Sequence, residues 1–318
     1  MRSGIASSRF VAMAQRQDEI TWNWLGKTLR LGVDRLGTGP TLLMLPALSS
    51  ISTRHEMRPL QERLAEAFTT VSLDWPGFGD RPRPTVAWEP DAYRAFLAHV
   101  LAELVPHPHA TIAAGHAAGY LLAEAAASPG AAGRLCLIAP TWRGPLPTMT
   151  GRHHPAFARI ARAGDRPVLG ALLYRLNVNR PVIGMMLRGH VYADPAWMTR
   201  ERMIEKLAVV EAPGARHASI RFVTGLLDPF PSRKGFLEAA ERVSDPLLVI
   251  YGANTPRKSK AEIEALAKLP NVSSIVLSNG KLSVHEEYPD EMAAAIGAFL
   301  SPGARPEEAG PPRSDVAR

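Results

Sequence analysis

Ala113-Ala114-Gly115-His116-Ala117-Ala118-Gly119-Tyr120 lies between an apolar run ending near Ala114 and a stretch of helical composition, Leu121 to Ala127. The layout is that of a strand turning sharply into a helix, G-x-S-x-G. The outer glycines let the helix pack close to the strand, and the middle residue is lifted on a strained backbone. Gly115 and Gly119 take the outer positions and Ala117 the middle one. A methyl group cannot attack a substrate, so the stretch reads as a nucleophile elbow whose nucleophile position, Ala117, is vacant. A plain Ala/Gly-rich junction has the same letters, so the rest of the chain must decide.

Upstream, Thr21 to Trp24 and Leu29 to Val33 alternate apolar and polar residues around Gly26-Lys27, which predicts an opening antiparallel hairpin. Thr41 to Leu45 is an uninterrupted apolar run ended by Pro46, the pattern of a strand covered on both faces. Met57 to Phe68 has helical spacing, and Thr70 to Leu73 is a second buried strand, completing a crossover unit. A Gly/Pro-rich loop, Asp74 to Asp80, precedes a helix over Tyr93 to Leu104, the strand Ala110 to Ala114, a helix to Ala127 and a strand over Arg134 to Ala139. Downstream, a strand Leu247 to Tyr251, a helix Lys260 to Ala267, a strand Val272 to Leu277, a loop holding His285 and a helix Glu291 to Leu300 continue the alternation. The fold class is α/β, a mostly parallel sheet flanked by helices.

Residues 141–227 change to helical stretches broken by proline and glycine, which predicts a helical cap between two halves of a core, 21–140 and 228–300. Residues 1–20 read as a flexible leader and 301–318, rich in proline, glycine and charge, as a disordered tail.

The chain has 318 residues, 46% of them apolar, enough for a large core. Its net charge of +7 comes from scattered arginines without dense basic blocks, which argues against nucleic acid as a partner and leaves a weak affinity for anionic ligands or membrane surfaces. No apolar run is long enough for a transmembrane segment, and the leader lacks a signal peptide's apolar core. The single cysteine, Cys136, sits in an apolar run and suits a reducing cytoplasm.

Together these residues resemble the α/β-hydrolase superfamily over Trp22 to Leu300. The resemblance rests on Leu45-Pro46-Ala47-Leu48, the Asp74-Trp75-Pro76-Gly77-Phe78-Gly79 loop, the elbow, the cap, and Val284-His285-Glu286-Glu287-Tyr288-Pro289. The cap and the run Leu45 to Met57 look closest to bacterial hydrolase-like proteins whose elbow reads G-H-A-A-G. The resemblance implies His285 as the catalytic histidine, the Ala118 N–H as one oxyanion donor, and the N–H of Ala47 or Leu48 as the other. It implies an acid near Ala253-Asn254-Thr255, where no carboxylate stands, and offers Asp228 as the acid from an alternative position, against the reading of a turn residue.

His116 beside the elbow is a candidate ligand contact or a packing residue. Ser49, with Ser50, Ser52 and Thr53, either faces a ligand or caps the helix that follows. His153-His154 has no third ligand at metal spacing, and no metal or cofactor is expected. Arg54, Arg58 and Arg63 read as a solvated helix face. Two functions follow: cofactor-free, histidine-based general acid–base chemistry on a small carbonyl- or ester-like molecule under the cap, or a catalytically inactive pseudo-hydrolase that binds a ligand or acts as a scaffold.

Overall fold

The computed structural model describes residues 16–301. Residues 1–15 of the expected leader and 302–318 of the expected tail lie outside them. The leader's last residues are strand, because Arg16 to Ile20 extend the opening hairpin: β1 (Arg16–Trp24) pairs antiparallel with β2 (Lys27–Leu36) along its whole length.

β2 in turn pairs antiparallel with β4 (Thr69–Leu73), and the rest of the sheet is parallel. Eight strands run in the order β1-β2-β4-β3-β5-β6-β7-β8, with β3 (Thr41–Leu45), β5 (Ala110–Ala114), β6 (Arg134–Ile138), β7 (Leu247–Gly252) and β8 (Val272–Leu277). The apolar runs without alternation are the central strands. In β3 each of Leu42 to Leu45 has lost all solvent exposure, since helices cover both faces.

The pleat divides these strands between two cores. Leu43, Leu45, Ala113, Leu137 and Val249 face one side, packed with Phe96 of α2 (Pro90–His99) and Leu121 of α3 (Ala117–Ala127). Leu42, Met44, Ile112, Cys136 and Ile250 face the other, against Leu60 of α1 (Arg58–Leu64) and Met292 of a C-terminal helix. Burial pushes the Cys136 thiol above its ordinary pKa, so the cysteine is a core residue in its neutral form.

After β6 the chain inserts α4 (Pro145–Thr150), α5 (Pro155–Gly164), α6 (Pro167–Asn177), α7 (Arg180–Met186), α8 (Arg200–Glu211) and α9 (Ala215–Thr224) before it returns toward β7. Proline stands in the first turn of α4, α5, α6 and α7, where its missing N–H costs no hydrogen bond. This insertion has an apolar cluster of its own, Ile183, Leu187, Val191, Tyr192, Met203 and Val210, which also takes Ile51 from the turn after β3. The chain then adds α10 (Arg233–Glu241), α11 (Arg257–Ala267), the short α12 (Val284–Glu287) and α13 (Pro289–Leu300).

Two local expectations change. The helix expected over Met57 to Phe68 is a 3₁₀ turn, Arg54–Met57, followed by α1, which ends at Leu64. His285 lies in α12 and not in a loop.

Candidate active site

In a parallel sheet the turns after the strands gather at their C-terminal edge, and ligands bind there. The turns after β3 and β5 and the α12 segment after β8 build this site.

The turn from β5 into α3 is sharp because Gly115 adopts φ +51°, while its N–H continues the sheet by donating to the Ile138 carbonyl at 2.9 Å. His116, at φ −71° and ψ −23°, already precedes the helix as its cap, and Ala117 is the first residue of α3. The left-handed residue of the elbow is therefore Gly115, and the strained backbone expected at Ala117 is absent. Flanking Gly115 at two residues on either side, Ala113 and Ala117 are the small residues of the turn, both fully buried. A Cβ built on Gly115 would stand 3.2 Å from the Ala47 Cβ, so a side chain there would face the turn after β3. Gly119 is small for a separate reason: a Cβ there would come within 2.6 Å of Pro229.

Of the expected oxyanion donors, the amides of Ala118 and Ala47 are taken up within the protein and that of Leu48 is not. The Ala118 N–H donates to the Gly115 carbonyl at 3.3 Å, and the Ala47 N–H donates to Glu56 Oε1 at 2.5 Å. The amides of Leu48 and His116 have no partner among the described residues. Leu48 follows Ala47 and His116 follows Gly115 in the chain, the two residues whose Cβ positions would stand 3.2 Å apart. Ser49 pairs its hydroxyl with Ser52 at 2.8 Å, and Thr53 caps the 3₁₀ turn by accepting from the His55 N–H at 3.2 Å.

His285 and Glu56 meet in this corner, with Nε2 and Oε1 3.7 Å apart. Both are buried, His285 to 1% exposure and Glu56 to 3%. Neither ring nitrogen of His285 has a hydrogen-bond partner among the described residues. Burial opposes the charge on Glu56, yet His285, Lys206 and the Ala47 N–H outweigh it and hold the carboxyl below its ordinary pKa, so it is ionised at neutral pH. The α12 residue after the histidine, Glu286, accepts from the Tyr192 hydroxyl at 2.7 Å and from Lys206 Nζ at 3.3 Å. Glu287 accepts from the amides of Ala193 and Asp194, each at 2.8 Å. The histidine segment is thus clasped to the insertion.

Glu56 did not stand out in the sequence. Thr53-x-x-Glu56 is a capping-box spacing, which assigns such a glutamate to the helix end. Its carboxylate goes to Ala47 instead, because Arg54 turns the segment inward. Expected on a solvated face, Arg54 is 1% exposed and bonds Asp74 through its N–H at 2.7 Å and Nη1 at 2.6 Å, Asp80 at 2.8 Å and Asp34 at 3.1 Å. Burial works against the guanidinium's charge, but Asp74 and the two other carboxylates hold its pKa above the ordinary value. The guanidinium passes so close to β2 that a Cβ on Gly32 would lie 2.3 Å from Nη1. Arg58 and Arg63 remain partly exposed, on Glu62 and Asp290.

Asp228 is not brought to His285. Its Oδ1 accepts from the Gly144 N–H at 2.8 Å and lies 3.5 Å from His116 Nε2, and its Oδ2 meets His153 Nε2 at 2.5 Å. His153, expected as half of a surface pair, belongs to this second cluster. His116 donates from Nε2 to the Leu227 carbonyl at 3.0 Å, beside the Tyr120 hydroxyl bond to the same oxygen at 2.7 Å. Burial lowers the pKa of His116 despite Asp228, so it is neutral and ties the elbow helix to the end of the insertion.

Glu56, His285 and Glu286 offer ligand atoms within 4.8 Å of one another, a spacing that a divalent cation accepts. The donor set does not suit one, because Lys206 already supplies the positive charge to Glu286 and the Ala47 amide already bonds Glu56.

The Alpha/beta hydrolase family profile matches residues 42–295. The chain is 30% identical over 317 residues to a 2-(acetamidomethylene)succinate hydrolase of Mesorhizobium japonicum, covering 94% of this chain and 99% of the relative. Among solved structures, Cfl2 from Burkholderia cenocepacia superposes with a TM-score of 0.70 at 20% identity, covering 90% of this chain and 96% of its own. A thermophilic esterase from Thermogutta terrifontis superposes at 0.68 and 18% identity, covering 90% and 98%. With the strand order, the β5–α3 turn and the histidine after β8 all in place, the chain belongs to the α/β-hydrolase family.

Proposed function

We propose that the protein hydrolyses a small carbonyl compound, an ester or an amide, by general acid–base chemistry of His285 and Glu56 without an acyl-enzyme. The observation that carries this is the buried pair itself: an imidazole with neither nitrogen hydrogen-bonded among the described residues, 3.7 Å from an ionised carboxylate. Buried polar groups left without partners cost free energy and concentrate where something polar must arrive.

In this reading Gly115 marks the position that the nucleophile takes in a strand-to-helix elbow, and water replaces that side chain. A water can hydrogen-bond both His285 Nε2 and Glu56 Oε1 across their separation. His285 takes a proton from it as the hydroxide forms a bond to the carbonyl carbon, and the amides of Leu48 and His116 receive the oxyanion. The bond to the leaving oxygen or nitrogen then breaks, and His285 returns its proton to that atom. Glu56 stays ionised and stabilises the imidazolium. The helical insertion acts as the cap over this corner. The relative's name, a hydrolase of an acetamido succinate, directs the substrate search to small N-acylated carboxylic acids.

The assay is turnover of a panel of such amides and esters. General acid–base catalysis contributes about a hundredfold to ten-thousandfold, so His285→Ala and Glu56→Gln should each lower kcat by that order with ligand binding nearly kept. Unchanged turnover in His285→Ala removes the histidine from the chemistry. Binding without turnover in the wild type favours a ligand-binding pseudo-hydrolase.

A further inference from the structure

Helix α6 carries an apolar stripe that none of the described residues covers. Val168, Leu172 and Leu176 recur every fourth residue and are 83%, 56% and 60% exposed, with Leu169 beside them at 42%. Side chains four apart share one helix face. Helices of a soluble domain turn such a face inward, so its exposure marks a contact surface.

Its charge surroundings are one-sided. Between Gly144 and Tyr192 the sequence holds seven arginines, no lysine and one carboxylate, Asp165. Asp165 is already taken by Arg221 at 2.7 Å and by His217 at 3.1 Å. Arg162, Arg166, Arg175 and Arg180 are exposed around the stripe, and Arg175 lies along it. Two copies of the chain meeting through this face would bring like charges together. Apolar side chains ringed by arginines match an anionic lipid surface, where the leucines enter the acyl boundary and the guanidinium groups meet phosphates.

We propose that the α6 face of the insertion docks on anionic phospholipid membranes. The surface is independent of the acid–base pair, so the two readings fail separately.

The test is co-sedimentation of the full chain with phosphatidylglycerol-rich vesicles and with pure phosphatidylcholine vesicles. We expect a partition coefficient at least tenfold higher on the anionic vesicles, weakened by salt through screening. Leu172→Glu/Leu176→Glu and, separately, Arg175→Glu should each lower it severalfold. These positions are exposed, so the variants should keep the wild-type circular dichroism and thermal midpoint. Equal partition on the two vesicle types, or an unchanged coefficient in the folded variants, overturns the proposal. So does a wild-type dimer in ultracentrifugation that Leu172→Glu dissociates, since a second copy would then cover the stripe.

Discussion

At the scale of the residue, Gly115 decides what the elbow is. Two small-residue spacings overlap in Ala113-Ala114-Gly115-His116-Ala117-Ala118-Gly119, and letters alone favour the one with glycine at both ends, centred on Ala117. Backbone geometry selects the other, because a single left-handed residue makes the turn and only Gly115, at φ +51°, is left-handed there. The two centres are separable by substitution. Gly115→Ser should place a hydroxyl against the Ala47 turn and yield slow covalent labelling by an activated ester or a fluorophosphonate. Its backbone strain should cost about 1 kcal/mol. Ala117→Ser, buried in the first turn of α3, should give no labelling. Intact-mass spectrometry reads both, and labelling of Ala117→Ser alone would return the elbow to that residue.

The same scale shows what was legible in the chain. The place of His285 after the last strand was, and the structure sets it 3.7 Å from Glu56. Glu56 was not, because its spacing from Thr53 is what any helix start displays, and only the buried Arg54 turns it toward the site. Asp228, expected to partner His285, stands beside His153 and His116 instead. Its loop is close to His116 and His153 in space, and sequence separation carries no information about that.

At the scale of the element, the turn after β3 is held from both ends. The Trp75 indole donates to the Pro46 carbonyl at 2.9 Å, and Arg54 is locked among three carboxylates contributed by β2 and the loop after β4. Removing one partner of such a buried cluster leaves uncompensated charge, which costs about 3–5 kcal/mol. Arg54→Met should therefore lower the denaturant midpoint by that amount of stability, and should also lower kcat because Glu56 lies two residues on. Arg58→Met, on the exposed side of the neighbouring turn, should change stability by about 0.5 kcal/mol or less. Similar losses in the two variants would show that the Arg54 cluster is not what holds the turn. The strand and helix order was readable from periodicity, but this cluster was not. Asp34, Arg54, Asp74 and Asp80 are drawn together by tertiary contacts, and each one alone looks like a surface residue.

For the whole molecule, the depressed pKa of Glu56 ties stability to acidity. A carboxyl held below its unfolded value, about 4.3, contributes stability that is fully present above that pH and is lost as pH falls through the folded value. The wild type should thus lose unfolding free energy on acidification through this range. Glu56→Gln should show a shallower acid limb than the wild type, measured by urea unfolding at a series of pH values. Parallel limbs would mean that Glu56 titrates alike in the folded and unfolded chain.

The elbow glycine has a further consequence in the terms of the genetic code. A glycine codon ending in a pyrimidine stands a single base change from serine, from cysteine and from aspartate, three side chains able to act as nucleophiles at a strand-to-helix turn. From such a codon a reactive group at Gly115 is a short mutational step, and mutational distance would not keep the position empty. Sequencing natural variants of this locus would show whether selection holds glycine there, as a site that works through water and imidazole requires, or lets it drift.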